Sequence, residues 1–217
     1  MTISQTQIPT DTWVKASWSD YLQTANHPDY QTVKTYYYQG RFRLEMSPVT
    51  NEHASDHSII IFAVCLYASL KEIPLNGKDN CTYRHPEIQE CQPDFSCYIG
   101  ENAQAITWGT GIINLANFPP PDLAIEIART SIADDKGEKR LMYEDLQVKE
   151  YWIVDVNNAQ ILAFAIDRQG SHRINESQVL PGLKLSVLES ALSQTRTNTQ
   201  SQVCAWLLTQ FQQLGQF

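Results

Sequence analysis

The hydrophobic and polar positions of residues 121–128 alternate as they do in a β-strand. Leu123, Ile125 and Ile127 fall on one face, because successive side chains of a strand point to opposite sides of the sheet. The other face carries Glu126 between two alanines. The stretch is apolar enough to be buried, so the pattern predicts a core strand with a carboxylate in its middle.

Further strand patterns occur on both sides of this segment. Phe42, Leu44 and Met46 alternate with charged residues after a turn at Gly40, which indicates a half-buried strand. The two asparagines 157–158 separate two apolar runs and predict a hairpin between them. The remaining predicted strands are residues 94–99, 150–156 and 159–166.

Apolar residues at helical spacing predict four helical regions. Trp13, Trp18 and Tyr21 define a short amphipathic helix near the N-terminus, and Thr50 or Asn51 can cap a long helix that follows it. Because strands and helices alternate along the chain, we predict an α/β fold with a mixed β-sheet flanked by helices. The predicted helices cover residues 11–25, 52–72 and 137–147 and the tail from residue 186.

Length and composition indicate one globular domain. A chain of 217 residues can bury a large core, and its 42% hydrophobic and 10% aromatic content excludes a disordered protein. No run approaches the roughly 20 uninterrupted apolar residues of a membrane span, and residues 1–13 lack the pattern of a secretion signal. The five cysteines form no C-x-x-C pair. We therefore expect a cytoplasmic protein without a membrane segment, a disulfide framework or a cysteine zinc site.

The charge of the chain bears on its partners. A net charge of −8 and a pI near 5.0 work against the positive field expected of a protein that lives on nucleic acid. Local basic groups and a bound metal ion can still reverse the field in one groove. The composition therefore lowers the expectation of a nucleic-acid enzyme without excluding it.

Two carboxylates, Asp94 and Glu126, lie on predicted strands and need a charged partner. An unpaired carboxylate in a core costs roughly several kcal/mol. If the two strands are neighbours, both side chains can share one divalent cation, and their oxygen ligands suit magnesium or manganese. We predict that Asp94 and Glu126 hold Mg²⁺ (or Mn²⁺).

A lysine follows the second of these strands. Lys139 lies in the first turn of the predicted helix, with Tyr143 four residues later on the same helix face. A lysine beside a metal-bound water is placed to orient or to deprotonate that water. We therefore predict Lys139 as a catalytic group.

Six short motifs follow one another along the chain: GRFRLEMSP with the following His53, Pro93-Asp94, DLAIEIA, DDKGEKRLMY, VKEYWIVD and VLPGLKL. Each motif is weak alone, but the order and spacing are specific. Together they resemble the Uma-two family of restriction endonucleases, a family of the PD-(D/E)XK nuclease superfamily, and the resemblance covers residues 13–192.

The resemblance implies a restriction-endonuclease-like core, a mixed sheet flanked by helices, in which Asp94 and Glu126 bind magnesium. It implies a Mg²⁺-dependent endonuclease that hydrolyses DNA phosphodiester bonds, with DNA as the partner. This chain has Ala128 where the superfamily has its lysine. Members of the family resemble one another in lacking a lysine there, and Lys139 is the implied replacement.

The same resemblance implies a further acidic residue earlier in the chain than these strands. Glu45, on the polar face of its strand, and Glu52, at the start of the long helix, are the two candidates. We prefer Glu45 as a catalytic residue.

Simpler roles stay open for several of these residues. Glu126 alone could be an edge or salt-bridge residue, and Lys139 a solvated helix residue. Asp122 lies four residues before Glu126, about 13 Å along the strand, too far to share one ion, so we predict a strand-entry cap. Asp134 or Asp135 could cap the following helix.

Rival functions also stay open. His53 and His57 have the spacing of a two-histidine zinc face, but the glutamate of H-E-x-x-H and a third ligand are missing. We expect His53 near the acidic cluster as a hydrogen-bonding group. The tyrosines 36–38 fit strand packing as well as base stacking. The acidic pI and Ala128 favour a catalytically inactive nuclease-fold interaction module as the alternative to an enzyme.

Residues 1–192, including the N-terminal helix, form the predicted nuclease-like domain, and residues 193–217 a C-terminal helical extension. In the extension, Val203, Leu207 and Leu214 recur at helical spacing. This stripe covers either the domain's own core or the contact of a possible homodimer, since cutting both strands of a duplex usually needs two active sites.

Overall fold

The structure is a computed structural model that describes residues 8–30, 32–46 and 50–213. Its helices are α1 (Trp18–Ala25), α2 (Asn51–Leu70), α3 (Ile132–Lys136), α4 (Glu138–Leu146), α5 (Leu185–Gln194) and α6 (Gln200–Gln213). Its strands are β1 (Val14–Lys15), β2 (Lys34–Tyr38), β3 (Arg41–Glu45), β4 (Leu75–Asp79), β5 (Tyr83–His85), β6 (Gln89–Cys91), β7 (Phe95–Ile99), β8 (Ile113–Asn114), β9 (Leu123–Ala128), β10 (Glu150–Asp155), β11 (Gln160–Asp167) and β12 (Gly170–Ile174).

The strands form two mixed sheets where the sequence predicted one. The first sheet has the order β1-β3-β2-β6-β5-β8, and the second has the order β12-β11-β10-β9-β7-β4. In the second sheet β9 pairs with β10 in parallel and with β7 in antiparallel orientation. The predicted α/β class with mixed sheets and flanking helices is confirmed.

The second sheet holds the most accurately predicted strands. β9 covers the predicted segment, every one of its residues is buried, and β7 is its direct neighbour, as the shared-ion hypothesis requires. β10 and β11 form the predicted antiparallel hairpin. The shorter strands β4, β5, β6, β8 and β12 were not predicted.

The first sheet begins with a tight hairpin. Gln39 and Gly40 between β2 and β3 have φ values of 48° and 70°, the two positive angles that match the twist of a two-residue hairpin. On the polar face of β3, Arg41 and Glu45 are half-buried as predicted, but Arg43 between them is buried. Met46, predicted on the apolar face, lies beyond the strand and is 50% exposed.

The predicted helix over residues 11–25 is correct only in its second half. Val14 and Lys15 instead form β1 beside β3. Helix α1 begins after Ser17, whose hydroxyl accepts from the Asp20 backbone while the Asp20 carboxylate accepts from the Ser17 backbone. This capping box fixes the start of the helix at residue 18.

Helix α2 confirms the long predicted helix, with Thr50 as its N-cap. By length and composition alone, with a mean hydropathy of 1.2, α2 could cross a membrane. In this structure it packs against α5, α6 and β9, and Asp56 on the helix is buried and paired with Arg196. Packing in the protein core therefore accounts for its apolar composition.

The C-terminal helices α5 and α6 pack against α2, and the predicted boundary at residue 192 falls inside α5. Val203 and Leu207 are fully buried in the core that α2 and the second sheet form. These two residues therefore cover the domain's own core, one of the two alternatives for this stripe, and are not available to a partner. Leu214 lies outside the described residues.

Candidate functional site

A cavity of about 960 Å³ opens between residues of the two sheets. It receives the end of β3, the start of β7, the middle of β9 and the start of α4. Glu45, Asp94, Glu126 and Lys139, the four predicted catalytic residues, all line it, and His53 lies on its wall. Glu52, the alternative acid, is exposed on α2 and is not among the lining residues, so the geometry favours Glu45.

The pairing of β7 with β9 brings the two predicted metal ligands together. Phe95 pairs with Ile125, so the same register places Asp94 opposite Glu126. The backbone N–H of Ile127 donates to Asp94 Oδ2 at 2.7 Å. Asp94 is therefore fixed to the strand that carries Glu126, with both carboxylates on the same cavity.

Glu126 is almost fully buried in an environment rich in hydroxyl groups. Its Oε1 accepts from the Tyr143 hydroxyl at 2.8 Å and lies 3.2 Å from the Tyr36 hydroxyl, which also donates to the Gln92 carbonyl at 2.9 Å. Burial raises the pKa of Glu126 to about 8; Lys139 opposes the shift and Asp94 adds to it. The only cation recorded within ion-pair distance of Glu126 among the described residues is the Lys139 ammonium, 3.6 Å away, so the negative charge of this carboxylate is only partly compensated.

Asp94 has the opposite electrostatic situation. Burial alone would raise its pKa, but His53 and the Lys34 ammonium outweigh burial and hold the pKa well below its usual range. Lys34 Nζ donates to Asp94 Oδ1, and His53 Nε2 lies 3.5 Å from Oδ2. Asp94 is therefore a carboxylate, and the predicted position of His53 beside the acidic cluster is confirmed.

Lys139 is fully buried among three carboxylates. Its Nζ lies 2.7 Å from Glu45 Oε1, 3.0 Å from Asp135 Oδ1 and 3.6 Å from Glu126 Oε1, and 4.3 Å from the centre of the Tyr36 ring. Burial would lower its pKa, but the carboxylates raise it well above the ordinary lysine value. The three carboxylates therefore favour the ammonium form of Lys139, the form that donates hydrogen bonds.

A second layer of charges holds Glu45 in place. Arg43 Nε lies 3.1 Å from Glu45 Oε1 and 3.4 Å from Asp134 Oδ2, and the Trp13 indole donates to Asp134 Oδ1 at 2.6 Å. The prediction that an aspartate caps the following helix is wrong, because Ser131 precedes α3 and Asp135 is the buried partner of Lys139. The predicted helices do not include α3.

Two other predicted side chains have structural roles. Asp122, at the far end of β9, accepts from the Ile99 backbone at 2.7 Å and the Asn102 amide at 2.9 Å, as predicted for a strand-entry cap. His57 Nε2 lies 3.1 Å from the Asp94 carbonyl and 3.3 Å from an Asp79 oxygen. Within the described ranges no three His, Cys, Asp or Glu side chains are grouped to hold a metal, which removes support for a zinc site.

The pair Asp94 and Glu126 fits magnesium rather than zinc. Mg²⁺ is usually bound through one or two carboxylates, several waters and substrate phosphates, so it does not need three protein ligands. Burial and the Asp94 charge raise the pKa of Glu126, and a divalent cation beside it would lower that pKa again. Only Oε1 of Glu126 accepts hydrogen bonds among the described residues, which leaves Oε2 available to a ligand.

Sequence reasoning missed two polar residues of the cavity, Lys34 and Arg129, and also Tyr36, whose hydroxyl lies beside Glu126. Lys34 and Tyr36 lie on β2, where an apolar and aromatic run masked their roles, and Arg129 follows β9 directly. Alternation along β2 could have identified Lys34 and Tyr36 as side chains of one face. None of the ion pairs among the described residues includes Arg129.

The raised pKa of Glu126 predicts a pH-dependent difference in stability for Glu126→Gln. The folded protein binds this proton more tightly than the unfolded chain, whose carboxyl has its ordinary pKa of 4.5. The resulting stability is complete below about pH 4.5 and is lost as the pH rises through about 8. The amide of glutamine does not titrate in this range. The melting temperature of Glu126→Gln should therefore rise relative to wild type between about pH 4.5 and pH 8, and the difference should be constant above that.

Thermal unfolding in a chelator, from acidic to alkaline pH, measures this difference. Glu101→Gln is the matched control, since Glu101 is exposed in a short 3-10 helix at Gly100–Gln104. If the difference between Glu126→Gln and wild type stays constant with pH, Glu126 has an ordinary pKa and the electrostatic description of this site is wrong.

The comparisons with known proteins agree with this fold. A solved structure that the chain resembles is described as a "putative nuclease belonging to DUF820" from Anabaena variabilis; the TM-score is 0.57, the identity 15%, and the match covers 81% of this chain and 98% of that one. At this identity the likeness shows the fold. The search of curated proteins gave no match. The family model Uma2, described as "Putative restriction endonuclease", matches residues 18–212, nearly the whole chain, and the chain therefore belongs to the Uma2 family.

Proposed function

We propose that the protein is a metal-dependent endonuclease that hydrolyses DNA phosphodiester bonds, with Mg²⁺ or Mn²⁺ held by Asp94 and Glu126. The observation that carries the proposal is the convergence of these two carboxylates, from neighbouring strands, on one cavity that also contains Lys34 and Lys139. The resemblance to the PD-(D/E)XK superfamily implies such a pair of acids with a lysine nearby, although here the lysine comes from α4 and Ala128 stands at its usual position. Family membership supports the nuclease class, and the chemistry of the cavity supports the metal.

The bound ion would supply a Lewis acid that lowers the pKa of a water and offsets charge on the phosphate. The hydroxyls of Tyr36 and Tyr143 fix Glu126 through Oε1, so its second oxygen faces the ligand in one orientation. Lys139 holds Glu45 and Glu126 at a set separation and is positioned to donate to a water between them. These fixed charges need little rearrangement during the reaction.

Arg129 is the proposed phosphate contact at the mouth of the cavity. It is exposed directly after β9, three residues beyond Glu126. Arg129→Ala should weaken DNA binding uniformly across sequences and reduce the slope of log affinity against log salt by about one, because one phosphate contact is lost. Fluorescence anisotropy at several salt concentrations, with Ca²⁺ in place of Mg²⁺, measures this slope.

Arg168→Ala, in the turn between β11 and β12, is the control for Arg129→Ala, because that turn does not line the cavity. Equal salt slopes for Arg129→Ala and wild type would remove Arg129 from the DNA contact.

In this proposal the protein acts on DNA in the cytoplasm, and a homodimer would supply two sites for cutting both strands. Its contact surface would exclude Val203 and Leu207, which are buried.

The proposed function is tested by incubating plasmid DNA with the protein in Mg²⁺, Mn²⁺ or a chelator. Nicked or linear DNA is expected in the two metals and none in the chelator.

An inactive interaction module is the second candidate. It is favoured by the net charge of −8 and by the two lysines that already neutralise part of the acidic cluster. Metal binding without cleavage in any divalent ion would support this candidate, whereas metal-dependent cleavage would exclude it.

A further inference from the structure

The two oxygens of Asp94 have different surroundings. Oδ2 accepts from the backbone N–H of Ile127 at 2.7 Å and faces His53 at 3.5 Å, so it is held by the fold. Oδ1 contacts the Lys34 ammonium. Among the described residues Lys34 is the only recorded partner of Oδ1. A cation that binds Asp94 through Oδ1 therefore meets the Lys34 ammonium at the same oxygen, where the two positive charges repel each other.

The position of Lys34 allows its side chain to move away from Asp94. It is the first residue of β2, its side chain is 22% exposed, and it lines the cavity. It also lies directly opposite Glu45 in the antiparallel ladder, a distance at which cross-strand side chains interact. Lys139, by contrast, is 1% exposed and held by three carboxylates. Of the two lysines, Lys34 alone has both a single strong partner and open space beside it.

We propose that Lys34 is a displaceable counter-cation: it neutralises Asp94 in the metal-free protein, competes with the divalent ion for Oδ1, and once released contacts the phosphate of the DNA. This inference rests on the proposed function. It assigns the two lysines different tasks, since Lys139 maintains the geometry of the acids and Lys34 exchanges between Asp94 and substrate. The released ammonium stays in the cavity because its backbone is fixed in β2 between β3 and β6.

The competition has an opposite effect on the two ligands of the site. Lys34→Met removes a positive charge from Oδ1 and should tighten Mn²⁺ binding by roughly tenfold or more, given the strength of close charge pairs near a protein surface. The same substitution removes a phosphate contact and should weaken DNA binding, measured in Ca²⁺. A lysine that merely held Asp94 in place would, when removed, weaken the binding of both ligands.

Isothermal titration calorimetry with Mn²⁺ and anisotropy with duplex DNA provide the two readouts on the full chain. Lys34→Arg keeps the charge and should bind Mn²⁺ much as wild type does. Lys15→Met, on the exposed side of β1, controls for loss of a lysine elsewhere. Thermal unfolding of each variant confirms that it is folded, and Lys34→Gln replaces Lys34→Met if the latter does not fold.

Tighter Mn²⁺ binding with weaker DNA binding in Lys34→Met supports the proposal. Mn²⁺ binding equal to or weaker than that of wild type overturns the competition, while leaving the proposed metal site intact. Unchanged DNA binding overturns the phosphate contact. If neither wild type nor Lys34→Met binds Mn²⁺, the proposed function itself fails, and the role of Lys34 fails with it.

Discussion

Replacing Lys139 with methionine is expected to destabilise the protein by about 3–5 kcal/mol, the usual cost of removing one partner from a buried ion cluster. Lys139 is the shared counter-ion of Glu45, Asp135 and Glu126, which are buried or nearly so. Methionine has a similar length but no charge, so Glu45 and Asp135 would lose their cation, and Glu126, whose pKa burial raises to about 8, would have still less compensation for its charged form. This loss is far larger than that of an ordinary surface lysine.

Urea denaturation at neutral pH measures the destabilisation of Lys139→Met. The matched control is Lys136→Met, three residues earlier and exposed at the end of α3, which should change the free energy of unfolding by less than about 0.5 kcal/mol. Acidification should narrow the gap between Lys139→Met and wild type, because protonation removes the repulsion among the carboxylates. A Lys139→Met variant as stable as wild type at neutral pH would show that the cluster is solvated rather than buried.

Asp94→Asn is expected to abolish metal-dependent cleavage, with a loss of about three orders of magnitude or more, because the ion supplies several kcal/mol of transition-state stabilisation. Asparagine keeps the shape of the side chain and an oxygen for the Ile127 N–H, so the β7–β9 pairing should survive. Metal binding and cleavage should be lost together. This differs from Arg129→Ala, which should bind the ion normally.

Plasmid cleavage and Mn²⁺ titration, performed on the same preparations, test Asp94→Asn. Asp79→Asn is the control, since Asp79 is an exposed carboxylate at the edge of the second sheet that contacts His57. Cleavage by Asp94→Asn at the wild-type rate would place the active site elsewhere. Loss of cleavage with unchanged Mn²⁺ affinity would remove Asp94 from the ligand set.

The acidic pair could be predicted from sequence because strand periodicity is local. A carboxylate in the middle of an apolar strand needs compensation whatever the rest of the fold does, and this rule identified Glu126. The pairing of β7 with β9 then followed from the requirement that Asp94 share its ion. The resemblance to a known family ordered these residues, made Lys139 the implied replacement for the lysine missing at Ala128, and added Glu45.

The surroundings of the pair could not be predicted, because they depend on which segments meet in space. Lys34 approaches Asp94 only because β2 and β6 pair in a separate sheet, whose short strands carry weak patterns. From the sequence Asp135 was a candidate helix cap, but in the structure it is buried and paired with Lys139. Likewise, the apolar stripe of α6 indicates a buried face, but periodicity does not tell whether the chain itself or a partner covers Val203.

The most direct test of the metal site is a crystal of the protein soaked in Mn²⁺ and measured for anomalous scattering. The account predicts one peak between Asp94 and Glu126, about 2.0–2.2 Å from an oxygen of each, with Lys34 moved away from Asp94 Oδ1. A well-ordered site in which Mn²⁺ is absent and Lys34 still contacts Asp94, at a concentration that supports DNA cleavage in solution, would contradict the account.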